Sequence, residues 1–284
     1  MNTRAAVFAG SWYPQAADAC EKEIQRYLAG NADTQIQANV WTGGIVPHAG
    51  WFYSGRVACR VIHCLKDPDP IDLVVLFGMH LHSQSGNRMM ASGAWETPFG
   101  ALPVDESLAL ALQDQFVFTF ETPQRFVQDN TIEVQLPFVK YLLNPGHILA
   151  LGVPPAPQSI EIGRAVGRWA KTNGRRLKVI GSTDLTHYGD NYGFSPKGSG
   201  PKAFEWVRDQ NDRAVIDAML AMAPERIISQ GLQHQNACCA GAVAAAVAAA
   251  GEMGATRAHE LAYASSYEKS PGDSFVGYVG VLFG

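Results

Sequence analysis

Short apolar runs rich in Val, Ile and Leu alternate along the chain with longer segments in which apolar residues return every three to four positions. Runs of the first kind are typical of strands buried on both faces, and the second spacing is typical of amphipathic helices. The predicted strands are residues 43–46, 73–77, 148–153, 177–180, 260–265 and 275–283. The predicted helices are residues 15–28, 55–65, 106–113, 132–142, 160–171, 204–222 and 237–250. This alternation predicts an α/β fold with a mostly parallel central sheet and helices on both of its faces.

The final run, residues 275–283, alternates in character along its length, and we expect it to join the sheet as an antiparallel strand. No internal repeat, linker or shift of composition divides the chain, so the prediction is one domain over residues 1–284. Residues 190–201 combine Gly and Pro with two aromatic side chains, which favours an ordered loop near a site over a linker.

Composition narrows the function. The 284 residues are 47% hydrophobic and carry 22 basic against 26 acidic side chains, a formal charge of −4. This excludes a disordered chain, and the lack of any basic run argues against a nucleic-acid partner. Residues 1–8 lack an apolar stretch of signal-peptide length, and the longest small-apolar run, residues 237–250, is too short to span a bilayer. We therefore expect a cytoplasmic protein without a membrane partner, its oligomeric state left open.

The five cysteines are odd in number and contain no Cys-x-x-Cys pair. They are Cys20, Cys59, Cys64, Cys238 and Cys239. This pattern predicts reduced thiols in place of a disulfide framework.

Side chains able to bind a metal follow three predicted strands directly. His48 follows the first strand, His80 and His82 follow the second, and Asp184 and His187 follow the fourth. His48 taken alone is explained equally well by a hydrogen bond to the backbone, and a single His-x-His pair is weak evidence for a metal site. Ligands of open α/β sheets bind where the carboxyl ends of strands converge, however, and imidazoles with carboxylates or thiolates bind zinc, copper and iron. The coincidence predicts a metal site, with His80 and His82 as alternatives for its second nitrogen.

A thiol and a carboxylate are further candidates. Asn236 is a favoured helix N-cap residue before an Ala-rich run, which would place Cys238 in the first helical turn, where a thiolate is stabilised. Cys238 would then be a soft ligand or a nucleophile; the alternative is that Cys238 and Cys239 only pack in a helix of small residues. Glu133 opens a predicted helix, and its carboxylate either belongs to the site or serves that helix terminus.

Several longer motifs accompany these residues. They are residues 9–14 (Ala-Gly-Ser-Trp-Tyr-Pro), 47–50 (Pro-His-Ala-Gly), 53–55 (Tyr-Ser-Gly), 97–100 (Thr-Pro-Phe-Gly), 131–137 (Thr-Ile-Glu-Val-Gln-Leu-Pro), 182–184 (Ser-Thr-Asp), 187–189 (His-Tyr-Gly), 236–238 (Asn-Ala-Cys) and 273–274 (Asp-Ser). With these motifs, in this order and over nearly the whole length, the chain resembles the Memo family, whose bacterial members are called AmmeMemoRadiSam system protein B.

The resemblance implies a fold similar to class III extradiol dioxygenases, which are non-heme iron enzymes. It implies metal ligands at His48, at one histidine of the loop after the second strand (His80, with His82 as the alternative) and at Cys238, with Asp184 and His187 as catalytic residues that orient ligands or move protons. Further pocket candidates are His82, Glu133, Tyr53 and Trp12. The implied cofactor is a divalent or redox metal ion, iron or copper with zinc as an alternative, or no metal at all. The implied function is that of a metal-dependent, dioxygenase-like oxidoreductase.

The chain departs from the family pattern at three positions. The loop after the second strand reads Gly-Met-His-Leu-His over residues 78–82, where the family usually has Gly-Pro-Ser/Asn-His. Asn130 stands where a histidine is common, and Cys239 where a glycine is common. Changed neighbours of a metal site alter which metal binds, and whether one binds.

Two other functions compete with the enzyme. A non-enzymatic binding or adaptor protein could use the same pocket to hold a peptide or a partner, with aromatic residues such as Trp12 and Tyr53 in contact with it. A Cys–His hydrolase built on Cys238 and His187 ranks last, because the sequence contains no recognised oxyanion motif. If the site binds a metal ion, we expect its affinity for that ion to weaken as the pH falls through the histidine range near ~6.5.

Overall fold

A nine-stranded mixed sheet runs through the structure, a computed structural model that describes residues 2–29 and 40–284. The strands are β1 (Thr3–Arg4), β2 (Gly43–Val46), β3 (Leu73–Gly78), β4 (Asn87–Met90), β5 (Ala94–Trp95), β6 (Leu102–Pro103), β7 (Phe118–Glu121), β8 (His147–Gly152), β9 (Leu177–Ser182), β10 (His187–Tyr188), β11 (Ala258–Ser265) and β12 (Phe275–Phe283). The order across the large sheet is β10-β12-β2-β9-β3-β8-β4-β7, and β11 pairs with β12. Strands β1, β5 and β6 form a second, three-stranded sheet.

The centre of the large sheet is parallel, and the strand on each side of this centre runs antiparallel to it. Strands β2, β9, β3 and β8 run in the same direction, and each is mostly apolar and fully or almost fully buried. Strand β12 is antiparallel to β2, as predicted, and β4 is antiparallel to β8. The predicted α/β class is confirmed. The unpredicted strands β1, β4, β5, β6, β7 and β10 are two to four residues long, too short for a periodic pattern.

Helices cover both faces of this sheet. They are α1 (Ala17–Leu28), α2 (Arg56–Cys64), α3 (Glu106–Gln113), α4 (Asn130–Glu133), α5 (Leu136–Phe138), α6 (Pro157–Thr172), α7 (Pro201–Trp206), α8 (Asp212–Leu220), α9 (Pro224–His234), α10 (Ala240–Glu252) and α11 (Ser266–Lys269). A Cβ on Gly44 would lie 2.7 Å from Val61 of α2, whereas a Cβ on Gly181 would lie 2.9 Å from Ala246 of α10. Since Gly44 pairs with Ile180, the residue before Gly181, these two contacts lie on opposite faces.

Two predicted helices are interrupted. The 132–142 segment divides into α4, α5 and a π-helical turn at Val139–Leu143, and the 204–222 segment contains a π-helical turn at Val207–Asn211. A third helix starts later than predicted, because α10 begins at Ala240 with Cys239 at its N-cap position. The prediction that Asn236 caps this helix and that Cys238 lies in its first turn is therefore wrong.

Helices α6 and α10 touch through small residues. Every residue of α10 from Ala240 to Ala250 is buried. A Cβ on Gly163 of α6 would lie 2.1 Å from the carbonyl oxygen of Ala245, so only glycine permits this approach. The Ala-rich run is thus a core helix, and within residues 2–29 and 40–284 no helix has the length and apolar character to cross a membrane.

A buried ion pair ties the N-terminal strand to the edge of the large sheet. Arg4 is 1% exposed, and its Nη1 lies 2.6 Å from Oε2 of Glu121 in β7. The guanidinium also lies 3.9 Å from the ring centroid of Trp95 and 4.0 Å from that of Phe126. Because a buried charge is costly without a partner, Glu121 is essential to this anchor.

Candidate metal centre

Three neighbouring parallel strands deliver their following residues to the same edge of the sheet. Val46 of β2 pairs with Ser182 of β9, so His48 and Asp184 both lie two residues beyond a paired position. Phe77 of β3 pairs with Gly181, so His80 lies level with them, three residues beyond that pair. The register alone therefore brings His48, Asp184 and His80 together, in the way the strand-end pattern predicts.

His48 is held with one defined nitrogen free. Its ring is 1% exposed, its backbone N–H donates to Oδ1 of Asp184 at 2.7 Å, and its Nδ1 lies 3.0 Å from Oγ of Ser182. The Ser182 hydroxyl donates its only proton to the carbonyl of Thr131 at 2.6 Å, so it accepts from Nδ1–H of His48. The lone pair of His48 is consequently on Nε2, which lies 3.3 Å from Sγ of Cys238.

His80 is oriented by a second acceptor. Met79, just before it, has a φ of 70° and donates its N–H to Oγ1 of Thr131 at 2.7 Å. This left-handed residue turns the chain, and Oδ2 of Asp129 then accepts from the backbone N–H and from Nδ1 of His80, at 3.1 and 3.2 Å. With Nδ1 engaged, Nε2 is the atom of His80 left to coordinate an ion. The His48 and His80 rings lie 5.0 Å apart at 85°.

The close fit of this loop against α4 requires a glycine. A Cβ on Gly78 would lie 2.4 Å from Oγ1 of Thr131, the same atom that holds Met79. A side chain at position 78 would displace either Thr131 or the loop, and with it the orientation of His80.

Cys238 meets the two histidines from the segment before α10. Its backbone N–H donates to the carbonyl of Asp184 at 3.1 Å, and its Sγ accepts from the backbone N–H of Asp184 at 3.3 Å. The Thr183 hydroxyl lies 3.7 Å from the same sulfur, and Sγ of Cys239 lies 3.8 Å from it. The strand-end loop of β9 therefore fixes the thiol against His48.

One potential ligand atom from each of His48, His80, Cys238 and Cys239 lies within 4.8 Å of all the others. Nitrogen and sulfur ligands bind a transition metal at about 2.0–2.3 Å, so donors around one ion are at most about 4.6 Å apart. A movement of a few tenths of an ångström would bring these atoms into a coordination sphere. The donor set fits a metal ion.

Charge is redistributed within the cluster. Burial raises the pKa of Cys238, but the hydrogen bond with Cys239 and the positive charge of His48 outweigh it and bring that pKa well below its usual value. Burial lowers the pKa of His80, but Asp129 and Cys238 outweigh it and raise that pKa to about 10. In His48, the negative charges of Asp184 and Cys238 similarly overcome burial and raise the pKa. Without an ion, these shifts favour the thiolate form of Cys238 beside a protonated His80.

His187 lies at the margin of the cluster. Its Nε2 is 3.9 Å from Oδ2 of Asp184, and its ring stacks on Tyr192 with centroids 5.0 Å apart. Burial lowers the pKa of His187, but Asp184 and Cys238 outweigh it and the net shift is upward. Asp184 thus contacts the backbone of His48 with one carboxylate oxygen and faces His187 with the other.

Two cavities reach the cluster from different directions. The larger, about 580 Å³ and here called the histidine cavity, is lined by Ser11, Trp12, His48, Ala49, Gly50, Phe52, Tyr53, His80, Asn130, Asp184, His187, Tyr192, Ser266, Ser270, Ser274, Val276 and Tyr278. The smaller, about 450 Å³ and here called the thiol cavity, is lined by Leu81, His82, Ser83, Pro155, Leu185, His187, Tyr192, Gly231, Leu232, Gln235, Ala237, Cys238 and Ala240. The imidazoles of the cluster border the first cavity, and the Cys238 thiol borders the second.

The remaining predicted pocket residues separate into two groups. Trp12 and Tyr53 line the histidine cavity, and each is nearly two-fifths exposed. His82 lies outside the four-residue cluster and lines the thiol cavity instead. Glu133 lines neither cavity; its buried carboxylate accepts from the N–H of Phe8 at 2.7 Å and from the hydroxyl of Tyr13 at 3.1 Å. Glu133 therefore holds the N-terminal segment that carries Trp12.

Comparison with known proteins identifies the family. A family model described as Memo-like protein matches residues 4–282. The chain belongs to the Memo family. A MEMO1 family protein of Methanosarcina barkeri is 31% identical to it, over 96% of this chain and 97% of the relative. One of Pyrococcus furiosus is 30% identical over 98% of each. A crystal structure of an uncharacterised protein of Escherichia coli K12 has a TM-score of 0.57 at 13% identity, covering 85% of this chain and 99% of the other, and shows a similar fold.

The structure gives a local role to one departure from the Memo family pattern. Asn130 lines the histidine cavity and donates from Nδ2 to the carbonyl of His48 at 2.9 Å. The side chain at this position therefore fixes the backbone of a candidate ligand.

Sequence reasoning missed the residues that orient the candidate ligands in this Memo family chain. Ser182 and Asp129 fix the two imidazoles, and Thr131 hydrogen-bonds to both Ser182 and Asp129. Asp129 carried a detectable signal, since an Asp directly before a helix is a favoured N-cap, and its Oδ1 accepts from the N–H of Thr131 at 2.9 Å. No sequence signal shows that its other oxygen reaches His80.

Proposed function

We propose that this Memo family protein is a metal-dependent oxidoreductase whose ion is held by Nε2 of His48, Nε2 of His80 and Sγ of Cys238. One observation carries the proposal. Each imidazole has its Nδ1 engaged by a fixed oxygen, which leaves Nε2 as its coordinating atom, and Nε2 of His48 lies 3.3 Å from Sγ of Cys238. Such hydrogen bonds to the far nitrogen are the usual support of metal-binding histidines.

The donor set favours copper over iron. Two imidazoles and a thiolate suit copper or zinc, whereas non-heme iron oxygenases use two histidines and a carboxylate. Of the carboxylates beside the cluster, Asp184 has Oδ1 occupied by the N–H of His48 and Oδ2 facing His187, and Asp129 has Oδ2 occupied by the backbone N–H and Nδ1 of His80. Bound copper would supply one-electron redox chemistry. The thiol of Cys239 is a further donor within reach.

The residues around the ion would handle the proton and the substrate. His187 borders the histidine cavity, and the upward shift of its pKa favours the protonated form, which would donate its proton to a molecule in that cavity. Asp184 would orient His187 and stabilise its charged form. A reducing compartment such as the cytoplasm suits the proposal, because the five free cysteines persist there as thiols.

A second candidate function rests on the rim of the histidine cavity. Four aromatic side chains there are more than one-third exposed: Trp12, Phe52, Tyr53 and Tyr192. Aromatic side chains bury large areas on binding and are enriched at binding surfaces. This rim would let the protein hold a peptide or a ring-bearing molecule without any reaction.

Cobalt binding tests the metal proposal. Metal-free protein is titrated with Co²⁺, and the thiolate-to-cobalt charge-transfer absorption reports the sulfur ligand directly. His80→Ala and its matched control His82→Ala change two histidines of the same loop. We expect His80→Ala to weaken binding at least ~10-fold and His82→Ala to bind like the parent.

The sulfur ligand has a matched control too. Of the five cysteines, only Cys64 and Cys238 are partly exposed. Cys238→Ser should abolish the charge-transfer band, and Cys64→Ser should keep it. If Cys238→Ser and His48→Ala both bind cobalt as tightly as the parent, the metal proposal is wrong and the binding function takes its place.

A further inference from the structure

Cys238 and Cys239 present two thiols to each other across one peptide bond. Their Sγ atoms lie 3.8 Å apart, in direct contact. Adjacent cysteines ordinarily point to different sides of an extended chain. Here Cys239, at the N-cap position of α10, is turned back so that both sulfurs lie on the same side.

Only one of the two sulfurs is open to small reagents. Cys238 is partly exposed and borders the thiol cavity of about 450 Å³. Cys239 is 3% exposed, and its Sγ lies 3.5 Å from the carbonyl of Met79. The arrangement therefore has a reachable sulfur in front and a protected one directly behind it.

A hydrogen-bond donor is aimed at the reachable sulfur. The backbone N–H of Asp184 points at Sγ of Cys238 from 3.3 Å, whereas the Thr183 hydroxyl, 3.7 Å from that sulfur, donates its proton to the carbonyl of Asp184. Donors aimed at a sulfur stabilise its anionic form, which is the nucleophile in thiol oxidation.

We propose that Cys238 and Cys239 are an oxidation site for peroxides, at which the two residues close a reversible disulfide. The Cys238 thiolate attacks one oxygen of hydrogen peroxide; an S–O bond forms, the O–O bond breaks, and hydroxide leaves. The Cys239 thiol then loses its proton and attacks the Cys238 sulfur; an S–S bond forms, the S–O bond breaks, and the departing hydroxide takes that proton as water. The sulfurs together lose two electrons, which reduce the peroxide to one water molecule and one hydroxide ion.

The disulfide would open readily under reducing conditions. Adjacent Cα atoms are about 3.8 Å apart across a trans peptide, whereas bridged cysteines usually have Cα atoms about 4.4–6.8 Å apart. A bridge in so small a ring is strained, and strained disulfides are easily reduced. This inference goes beyond the proposed metal function, since the oxidation requires no ion. It would also remove Cys238 from the ligand set.

Peptide mapping after peroxide treatment tests the pair. Full-length, metal-free protein is exposed to hydrogen peroxide, digested and analysed by mass spectrometry, with dimedone present to trap sulfenic acid. In the parent and in Cys64→Ser, we expect the peptide containing both cysteines to lose two hydrogen atoms and to regain them with dithiothreitol. In Cys239→Ser and Cys239→Ala, the dimedone adduct at Cys238 should accumulate instead.

Two results would overturn the pair. The first is that dimedone labels Cys238 in the parent as strongly as it labels Cys238 in the two Cys239 variants. The second is that both thiols of the parent are still reduced after peroxide treatment. A parallel sample loaded with Co²⁺ separates this inference from the metal proposal. Disulfide formation at the same rate with and without cobalt would contradict the ligand role of Cys238 alone. Protection by cobalt without any disulfide in the metal-free protein would contradict the pair alone.

Discussion

The Ser182 hydroxyl offers the sharpest test of how the candidate ligands are oriented. It accepts from Nδ1–H of His48 and donates to the carbonyl of Thr131, and it is 1% exposed. Ser182→Ala removes one oxygen atom without changing any charge. The variant leaves Nδ1–H of His48 and the carbonyl of Thr131 without their hydrogen-bond partner in a buried site. It also frees the ring of His48 to rotate.

Two magnitudes follow from these contacts. A buried polar group left without a partner costs about 1–3 kcal/mol. With an unfolding entropy of about 2.1 cal/mol/K per residue, a chain of this length loses about 2–5 °C in Tm for that cost. A hydrogen bond that orients a metal ligand contributes about 10–100-fold in metal affinity. Ser182→Ala should therefore lose stability modestly and cobalt affinity strongly.

Ser159 provides the matched control. It is also fully buried, and its hydroxyl donates to the carbonyl of Pro154, but it contacts no histidine. Ser159→Ala should lower the Tm by a similar amount in a thermal melt of metal-free protein, and it should bind cobalt like the parent. If Ser182→Ala also keeps the parental affinity while its Tm falls, the hydroxyl stabilises the fold only, and the argument that it sets the coordinating nitrogen of His48 is refuted.

Three further predictions concern reactivity, pH and stability. In metal-free protein, Cys238 should be alkylated by iodoacetamide faster than Cys20 or Cys59, because its pKa is lowered whereas burial raises the pKa of those two thiols to about 12. Peptide mapping that finds Cys20 or Cys59 labelled first would contradict the prediction. Cobalt affinity should rise by about tenfold per pH unit for each proton that the metal displaces, because an imidazole whose pKa is raised holds its proton below that pKa. For His80 the rise should continue toward pH about 10. Titrations in which the affinity reaches a plateau from pH 7 upward would exclude His80 as a ligand with this raised pKa. Glu121→Gln leaves Arg4 buried without a counter-charge and should cost about 3–5 kcal/mol in chemical denaturation, whereas the exposed change Glu106→Gln should be neutral.

The pH prediction differs from the one made from sequence. An ordinary histidine loses its proton near ~6.5, and that value set the first expectation. The structure places Asp129 and Cys238 against His80, and these two groups raise its pKa. A sequence cannot supply this shift, because Asp129 lies 49 residues away and its contact depends on how β3 packs beside α4.

The elements that follow directly from sequence are those with long, uniform patterns. Strands β2 and β12 and helix α3 occupy the predicted residues, because their apolar runs or periods are uninterrupted. The start of α10 was misplaced because Asn236 is a residue type favoured at helix N-caps but does not cap this helix. Its Nδ2 donates to the carbonyl of Asn211 and to Oε1 of Gln230, so the side chain ties two other segments together, and the helix begins at Ala240, three residues later than predicted.

The later start of α10 changes the reason for the chemistry of Cys238. The sequence argument relied on the dipole of a helix whose first turn would contain the thiol. In the structure the thiol precedes the helix, and its surroundings are the N–H of Asp184 and the imidazole of His48. A thiolate stabilised by a helix would persist in any variant that keeps the helix. One stabilised by His48 and the Asp184 loop depends on the two strands that deliver them, so the reactivity of Cys238 should fall in His48→Ala even though α10 is untouched.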